Sequence, residues 1–202
     1  MLNTVYQLKR PRQFEVVFKN IELDDAHILI RPTHLSICNA DQRYYQGTRP
    51  DSVLHAKLPM ALIHEGIGRI VYDPSGKLET GALAVMIPNI PTEQDAVIAE
   101  NYLRSSAFCA STRDGFLQEY VSTVPDRIVL LPETVHPCVG AFTELVSVSF
   151  HALRRFFAAS HERMEEVAVW GDGNLGYITA LLLSYMRPSV HLIGRASCRE
   201  RV

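Results

Sequence analysis

Cysteine is scarce in this chain. Four occur in 202 residues, Cys38, Cys109, Cys138 and Cys198, far apart and with no C-x-x-C pair. That excludes a disulfide scaffold and fits a reducing compartment, so a cytoplasmic location is expected. An excess of either charge is missing too: 20 Lys and Arg face 22 Asp and Glu, a formal net charge of −2. With neither a basic stripe nor an acidic tail, nucleic acid and anionic membranes are not expected partners. Long apolar runs are absent. The run around Leu181–Leu183 is too short to span a bilayer, and Lys9, Arg10 and Arg12 are not followed by an export-type apolar stretch. There is no internal repeat and no low-complexity segment.

What is present is a core-forming chain, 47% apolar. Its first two thirds carry short β signals between polar turns: "FEVVFKN", "HILIRPTHLSI", "IGRIVYD" before Pro74-Ser75-Gly76, "ALAVMIP", "GFLQEYVS" and "DRIVLLPE". Many short strands with frequent turns predict a small barrel-like β domain. From Cys138 to Ala159 the apolar spacing instead predicts one long helix, and a polar break at Ser160–Glu165 leads to a strand at Val167–Trp170. The expected division is a β-rich domain over 1–137 and an α/β segment over 138–192.

That strand runs into Gly171-Asp-Gly173-Asn174-Leu175-Gly176, a G-x-G-x-x-G turn that opens an apolar helix. In this context the first glycine allows the tight turn, the second admits a pyrophosphate to the backbone, and the third lets the helix pack on the strand. The helix N-terminus then offers unpaired N–H groups and a partial positive charge. Gly171, Gly173, Asn174, Leu175 and Gly176 are the candidate cofactor-binding residues. The plainer reading is a glycine turn in an ordinary α/β unit.

Three further stretches carry candidate metal ligands: "SICNADQ" with Cys38, "ALIHEGIG" with His64 and Glu65, and "AFTELVSVSFHA" with Glu144. A thiolate, an imidazole and a carboxylate suit tetrahedral zinc with one position left open. Singly, each has a bland explanation: a core cysteine, a satisfied histidine, a capping glutamate. Their weight comes from occurring together, upstream of a dinucleotide motif.

That combination resembles the zinc-dependent medium-chain dehydrogenase/reductase family. The resemblance implies a GroES-like β-barrel catalytic domain followed by the start of a Rossmann domain. It implies Cys38, His64 and Glu144 as ligands of a catalytic zinc, with Glu65 binding directly or by exchange with water. Asp41 matches a carboxylate expected to orient the His64 imidazole; Glu65 and Asp41 are the candidate catalytic residues. Longer stretches, among them "VYQLKRPRQFEVVFKNIELDD", "RPTHLSICNADQRYYQGTRP" and "KLPMALIHEGIGRIVYD", narrow the resemblance to the ribulose-5-phosphate reductase branch. Members of that branch reduce D-ribulose 5-phosphate to D-ribitol 5-phosphate with NADPH, beside a ribitol-5-phosphate cytidylyltransferase, and so supply CDP-ribitol for teichoic acid or capsule. A homo-oligomer is implied. The alternatives kept open are a sorbitol-type zinc polyol dehydrogenase and a non-catalytic nucleotide-binding module.

Two departures from the family bear on chemistry. The lobe of four cysteines that holds a structural zinc is absent: only Cys109 lies between Ile90 and Gly115. One thiol cannot form such a site, so one zinc is expected. Ala40 stands where many members carry a hydroxyl that relays a proton, which leaves water or Glu65 for that step. Arg43, Arg49, Lys57 and Arg104 are the cations available to a substrate phosphate. Finally, "IGRASCRERV" at the end lacks apolar periodicity and matches one translated frame of a common sequencing adapter. Residues 193–202 are therefore expected to be non-native. The chain is expected to be a C-terminally truncated fragment without activity of its own, and Arg195 is not read as a selector between NADP and NAD.

Overall fold

Strand β1 (Leu2–Arg10) pairs antiparallel with β2 (Gln13–Asn20) and buries Val5 and Leu8. The computed structural model describes residues 1–161, 165–171 and 173–196, with backbone alone for 192–196. The chain divides into two compact units, Met1–Phe142 and Thr143–Val202. β1 was not among the strands read from hydropathy, because its inward positions also include Asn3 and Gln7. Both are satisfied inside. Asn3 exchanges hydrogen bonds with the Tyr120 backbone, and Gln7 donates to the Asp114 carboxylate. Buried amides with full partners substitute for apolar residues at such positions.

The first unit continues with β3 (Ile28–Ser36), helices α1 (Asn39–Gln46) and α2 (Asp51–Lys57), β4 (Met60–Ala61), β5 (Glu65–Tyr72), β6 (Leu83–Met86), β7 (Asn89–Ile90), β8 (Ala107–Phe108), β9 (Val121–Thr123), β10 (Ile128–Leu130) and helix α3 (Pro137–Gly140). An antiparallel five-stranded sheet has the order β10-β6-β5-β3-β9; a second sheet runs β2-β1-β4, and β7 pairs with β8. The core alternation of β3 and β5 places Ile28, Ile30, Ile67 and Ile70 fully inside. Each contributes about 1.5–3 kcal/mol by leaving water. "GFLQEYVS" supplies strand only at its end. Gly115, Phe116 and Leu117 instead donate their amides to the carbonyls of Ala61, Ile63 and Leu62.

The second unit holds α4 (Thr143–Ala159), β11 (Glu166–Trp170), α5 (Asn174–Met186) and β12 (His191–Ala196), with β11 and β12 parallel. Leu153, Val167 and Leu183 form its core. Ser149, buried in α4, accepts a hydrogen bond from Thr179 of α5 at 3.1 Å. The single helix expected from Cys138 to Ala159 is two helices. α3 opens at Pro137 under a His136 cap and packs on β5 of the first unit, whereas α4 belongs to the second. Apolar periodicity runs through a unit boundary that it has no means to register. The β12 backbone extends to Ala196; residues 197–202 of the presumed non-native tail lie outside the described residues.

Candidate metal centre and dinucleotide turn

The register of β3 on β5 sets Ser36 opposite Glu65. Two residues past Ser36 lies Cys38, and immediately before Glu65 lies His64. The strand ends thus deliver a thiol, an imidazole and a carboxylate to one place. The Cys38 sulfur, a His64 ring nitrogen and a Glu65 oxygen lie within 4.8 Å of one another. Ligands of a tetrahedral zinc stand about 3.3–3.8 Å apart, from bond lengths of about 2.0–2.3 Å. The donor set has zinc-type chemistry and a spacing that small side-chain adjustments close. Glu65 is only 2% exposed, with a carboxylate oxygen among the three converging donor atoms. A carboxyl, a thiol and an imidazole brought together at a largely buried point form a donor set suited to a cation. The Cys38 thiol is pushed up to about 12, by burial first and then by the Asp41 carboxylate beside it. A divalent cation reverses that balance and holds the thiolate.

Cys38 is the N-cap of α1, and its sulfur faces the Asp41 amide. Asp41 is 3% exposed. One of its oxygens accepts from the Cys38 N–H at 3.0 Å and the other from the Ile63 N–H at 2.9 Å. The expectation for Asp41 was that it orients the imidazole. Among the described residues the His64 ring has no hydrogen bond; it meets Phe108 edge-on, with centroids 5.3 Å apart at 63°. Ile63 is the residue that no sequence signal singled out. Its φ is +71°, in the left-handed region, although it is β-branched. Such a conformation costs on the order of 1–3 kcal/mol and concentrates at functional sites.

Glu144 stands in the first turn of α4, in the second unit, apart in sequence and in unit from the other three donors. Of the cations, Arg49 lies over the Tyr44 ring at 4.8 Å, with its Nε buried and unbonded.

The glycine turn joins β11 to α5. Gly171 has φ +131°, which the tight turn requires. A Cβ on Gly176 would lie 2.2 Å from the Gly171 carbonyl oxygen, so only glycine lets the helix come so close. A Cβ on Gly173 would meet no protein atom within 4 Å, which leaves its backbone open to a ligand. α5 starts at Asn174, so the Asn174, Leu175 and Gly176 amides belong to its unpaired first turn. The turn fits a pyrophosphate.

Comparison with known proteins shows what the chain is similar to. Over 188 residues, 93% of this chain and 55% of the relative, the sequence is 52% identical to the ribulose-5-phosphate reductase of Bacillus spizizenii. The crystal structure of S. aureus TarJ in complex with NADPH superposes with a TM-score of 0.77 at 42% identity, covering 95% of this chain and 53% of that one. Sorbitol dehydrogenase of Rattus norvegicus is more remote, 30% identical over 174 residues, 83% of this chain and 48% of the relative. The chain spans about half the length of the curated relatives it matches. Residues 24–133 match the alcohol dehydrogenase GroES-like domain. That match covers more than half of the chain, with the three donors inside it, and the chain therefore belongs to the alcohol dehydrogenase GroES-like domain family.

Proposed function

We propose that the complete protein is an NADPH-dependent, zinc-assisted reductase that converts D-ribulose 5-phosphate to D-ribitol 5-phosphate. The observation that carries this is the convergence of Cys38, His64 and Glu65 within 4.8 Å, in a chain whose similarity to ribulose-5-phosphate reductases extends far beyond those residues. Cys38, His64 and Glu144 are the proposed ligands of a single zinc, with Glu65 exchanging for water. Zinc held there supplies Lewis acidity toward a carbonyl oxygen. The turn Gly171–Gly176 would hold the pyrophosphate of NADPH, a cofactor that would supply hydride-transfer chemistry when bound.

The chain's own residues do the rest. The register of β3 and β5 brings the donor-bearing segments together, so that only small side-chain adjustments remain for the donors to close on a metal. Glu65 sits on the buried side of the cluster, while Cys38 and His64 are half-buried and leave a side open to water or substrate. The product hydroxyl needs a proton. Ala40 has no hydroxyl to relay one, so Glu65 is the side chain in this cluster able to hold and pass it. A substrate phosphate would be met by a cation; Arg43, which closely follows the Cys38 segment, is the first candidate, and Arg49 has a buried Nε without a partner among the described residues. A ribitol-5-phosphate cytidylyltransferase acting on the product, assembly as a homo-oligomer and a cytoplasmic location complete the reading.

The test is NADPH oxidation by the complete protein with D-ribulose 5-phosphate, with and without a zinc chelator. Turnover confined to the phosphorylated ketose and abolished by the chelator supports the proposal. Preference for free polyols or ketoses moves the protein to the sorbitol-type reading. A folded, zinc-loaded protein that turns over neither contradicts both.

A further inference from the structure

We infer that the free edge of β2 is an interface between two copies of this chain, which pair antiparallel about a two-fold axis at Val17. The inference rests on neither the metal nor the cofactor reading, and it gives the proposed homo-oligomer one contact surface.

β2 is the outer strand of the sheet β2-β1-β4, and among the described residues no strand pairs with its other side. Met1 and Ile21 exchange backbone hydrogen bonds, at 2.7 and 2.8 Å. The register of β1 on β2 carries that alternation along the pair, so Glu15, Val17 and Lys19 turn their amides and carbonyls to β1. Phe14, Val16, Phe18 and Asn20 turn theirs to the open edge. Folded proteins blunt such edges with proline, a bulge or a very short strand. This strand has eight residues, no proline and an unbroken register from Phe14 to Asn20. Its apolar side chains face water as well: Phe14 is 44%, Val16 52% and Phe18 65% exposed.

The segment "QFEVVFKN" is self-complementary about Val17. A two-fold axis there sets Val16 opposite Phe18 of the second copy, and Phe14 opposite Asn20 of the second copy. These are the residues whose backbone groups face outward, so each pair can exchange two hydrogen bonds. Val16 and Phe18 form a β-branched–aromatic cross-strand pair, repeated by the symmetry. On the other face Glu15 comes opposite Lys19 of the second copy. An axis at Val16 or Phe18 keeps the outward bonds but sets Val17 opposite Glu15 or Lys19, and the charge match is lost. Within the chain Glu15 and Lys19 also pair with Lys9 and Asp114, yet both side chains stay about half exposed and can meet a second charge.

The complete protein tests this by cross-linking, sedimentation equilibrium and hydrogen exchange. Val17→Cys puts a thiol from each copy on the axis, at a non-hydrogen-bonded pair whose Cα atoms stand about 4.5 Å apart, within disulfide reach. Oxidation with diamide is expected to give a covalent dimer. The parent, with its native cysteines, and Ser52→Cys, exposed on α2, are expected to give none. Val16→Lys combined with Phe18→Lys lines the joined edge with lysines. It is expected to raise the Kd of the contact at least about tenfold, with the circular dichroism of the parent. In the parent, the Val16 and Phe18 amides are expected to be protected in the assembly and to exchange once it is diluted below that Kd. A complete protein that stays monomeric at about 100 μM overturns the inference. So does an oligomer as tight in the double-lysine variant as in the parent, or Val17→Cys that cross-links no faster than Ser52→Cys. If the variants do not fold, the parent decides. Val16 and Phe18 amides that exchange freely in the assembly, or that stay protected in the monomer because another part of the same chain covers β2, overturn it. Absence of ribulose-5-phosphate reduction would defeat the functional reading and leave this contact standing.

Discussion

At the scale of single residues, the site turns on a buried carboxyl and a half-buried thiol. Glu65 is 2% exposed with an oxygen in the cluster, and the Cys38 thiol is driven toward its neutral form by burial. A zinc ion would partner both. Replacing Cys38 with Ser, or His64 with Ala, is therefore predicted to take zinc in the purified complete protein from about one per chain to a small fraction of that, measured by elemental analysis. Retention of full zinc in either variant would contradict the assignment. Gly176→Ala is predicted to act elsewhere. Its new methyl would sit 2.2 Å from the Gly171 carbonyl oxygen, so the turn must open. NADPH affinity should fall at least about tenfold with zinc content unchanged, as read by fluorescence titration and metal analysis. The donors Cys38, His64 and Glu65 were legible because each sits in a short segment whose spacing is chemical. The partner of Asp41 was not. Nothing in the letters "LIHE" announces a left-handed isoleucine, since β-branching argues against it, and so the two backbone amides that Asp41 holds were not foreseen beside its expected role of orienting the imidazole.

At the scale of elements, legibility followed apolar alternation and failed where polar residues take core positions. β3, β6 and β10 lie within runs read as strands and β2 and β5 overlap such runs, whereas β1 hides behind Asn3 and Gln7, and α1 behind Asp41. In "NADQRYYQ" only Asp41 and Tyr44 are buried, too few to make a recognisable stripe. Asp114 ties these elements together. It accepts hydrogen bonds from Gln7 of β1 and the Ala61 amide of β4, and pairs with Lys19 of β2. Burial works to raise its carboxyl; the bonds from Lys19, Ala61 and Gln7 outweigh it, and the carboxyl is held below its ordinary value of 3.8. A depressed folded-state value means stability that is present above pH 3.8 and lost as pH falls through the folded value. Asp114→Asn should cost about 1–3 kcal/mol at neutral pH, and the gap to the parent should narrow below that pH. Urea unfolding at pH 7 and pH 3 measures both. A gap that stays constant across that range would contradict the assignment of the clamp to an ionised carboxylate.

At the scale of the whole molecule, each of the two units carries its own set of the proposed site residues. The first brings together the thiol, imidazole and buried carboxylate, and the second carries the glycine turn and Glu144. The boundary after Phe142 was blurred in the sequence because α3 and α4 share one apolar rhythm across it. With a single cysteine between Ile90 and Gly115, the complete protein is predicted to hold one zinc per chain. Two per chain by elemental analysis would contradict this.

The most direct measurement is the rate of NADPH oxidation by the complete, zinc-loaded protein with D-ribulose 5-phosphate, beside ribulose and fructose without phosphate. The account predicts turnover of the phosphorylated ketose alone, lost on chelation and restored by zinc. Equal or faster turnover of the unphosphorylated sugars, or turnover indifferent to the chelator, would contradict it.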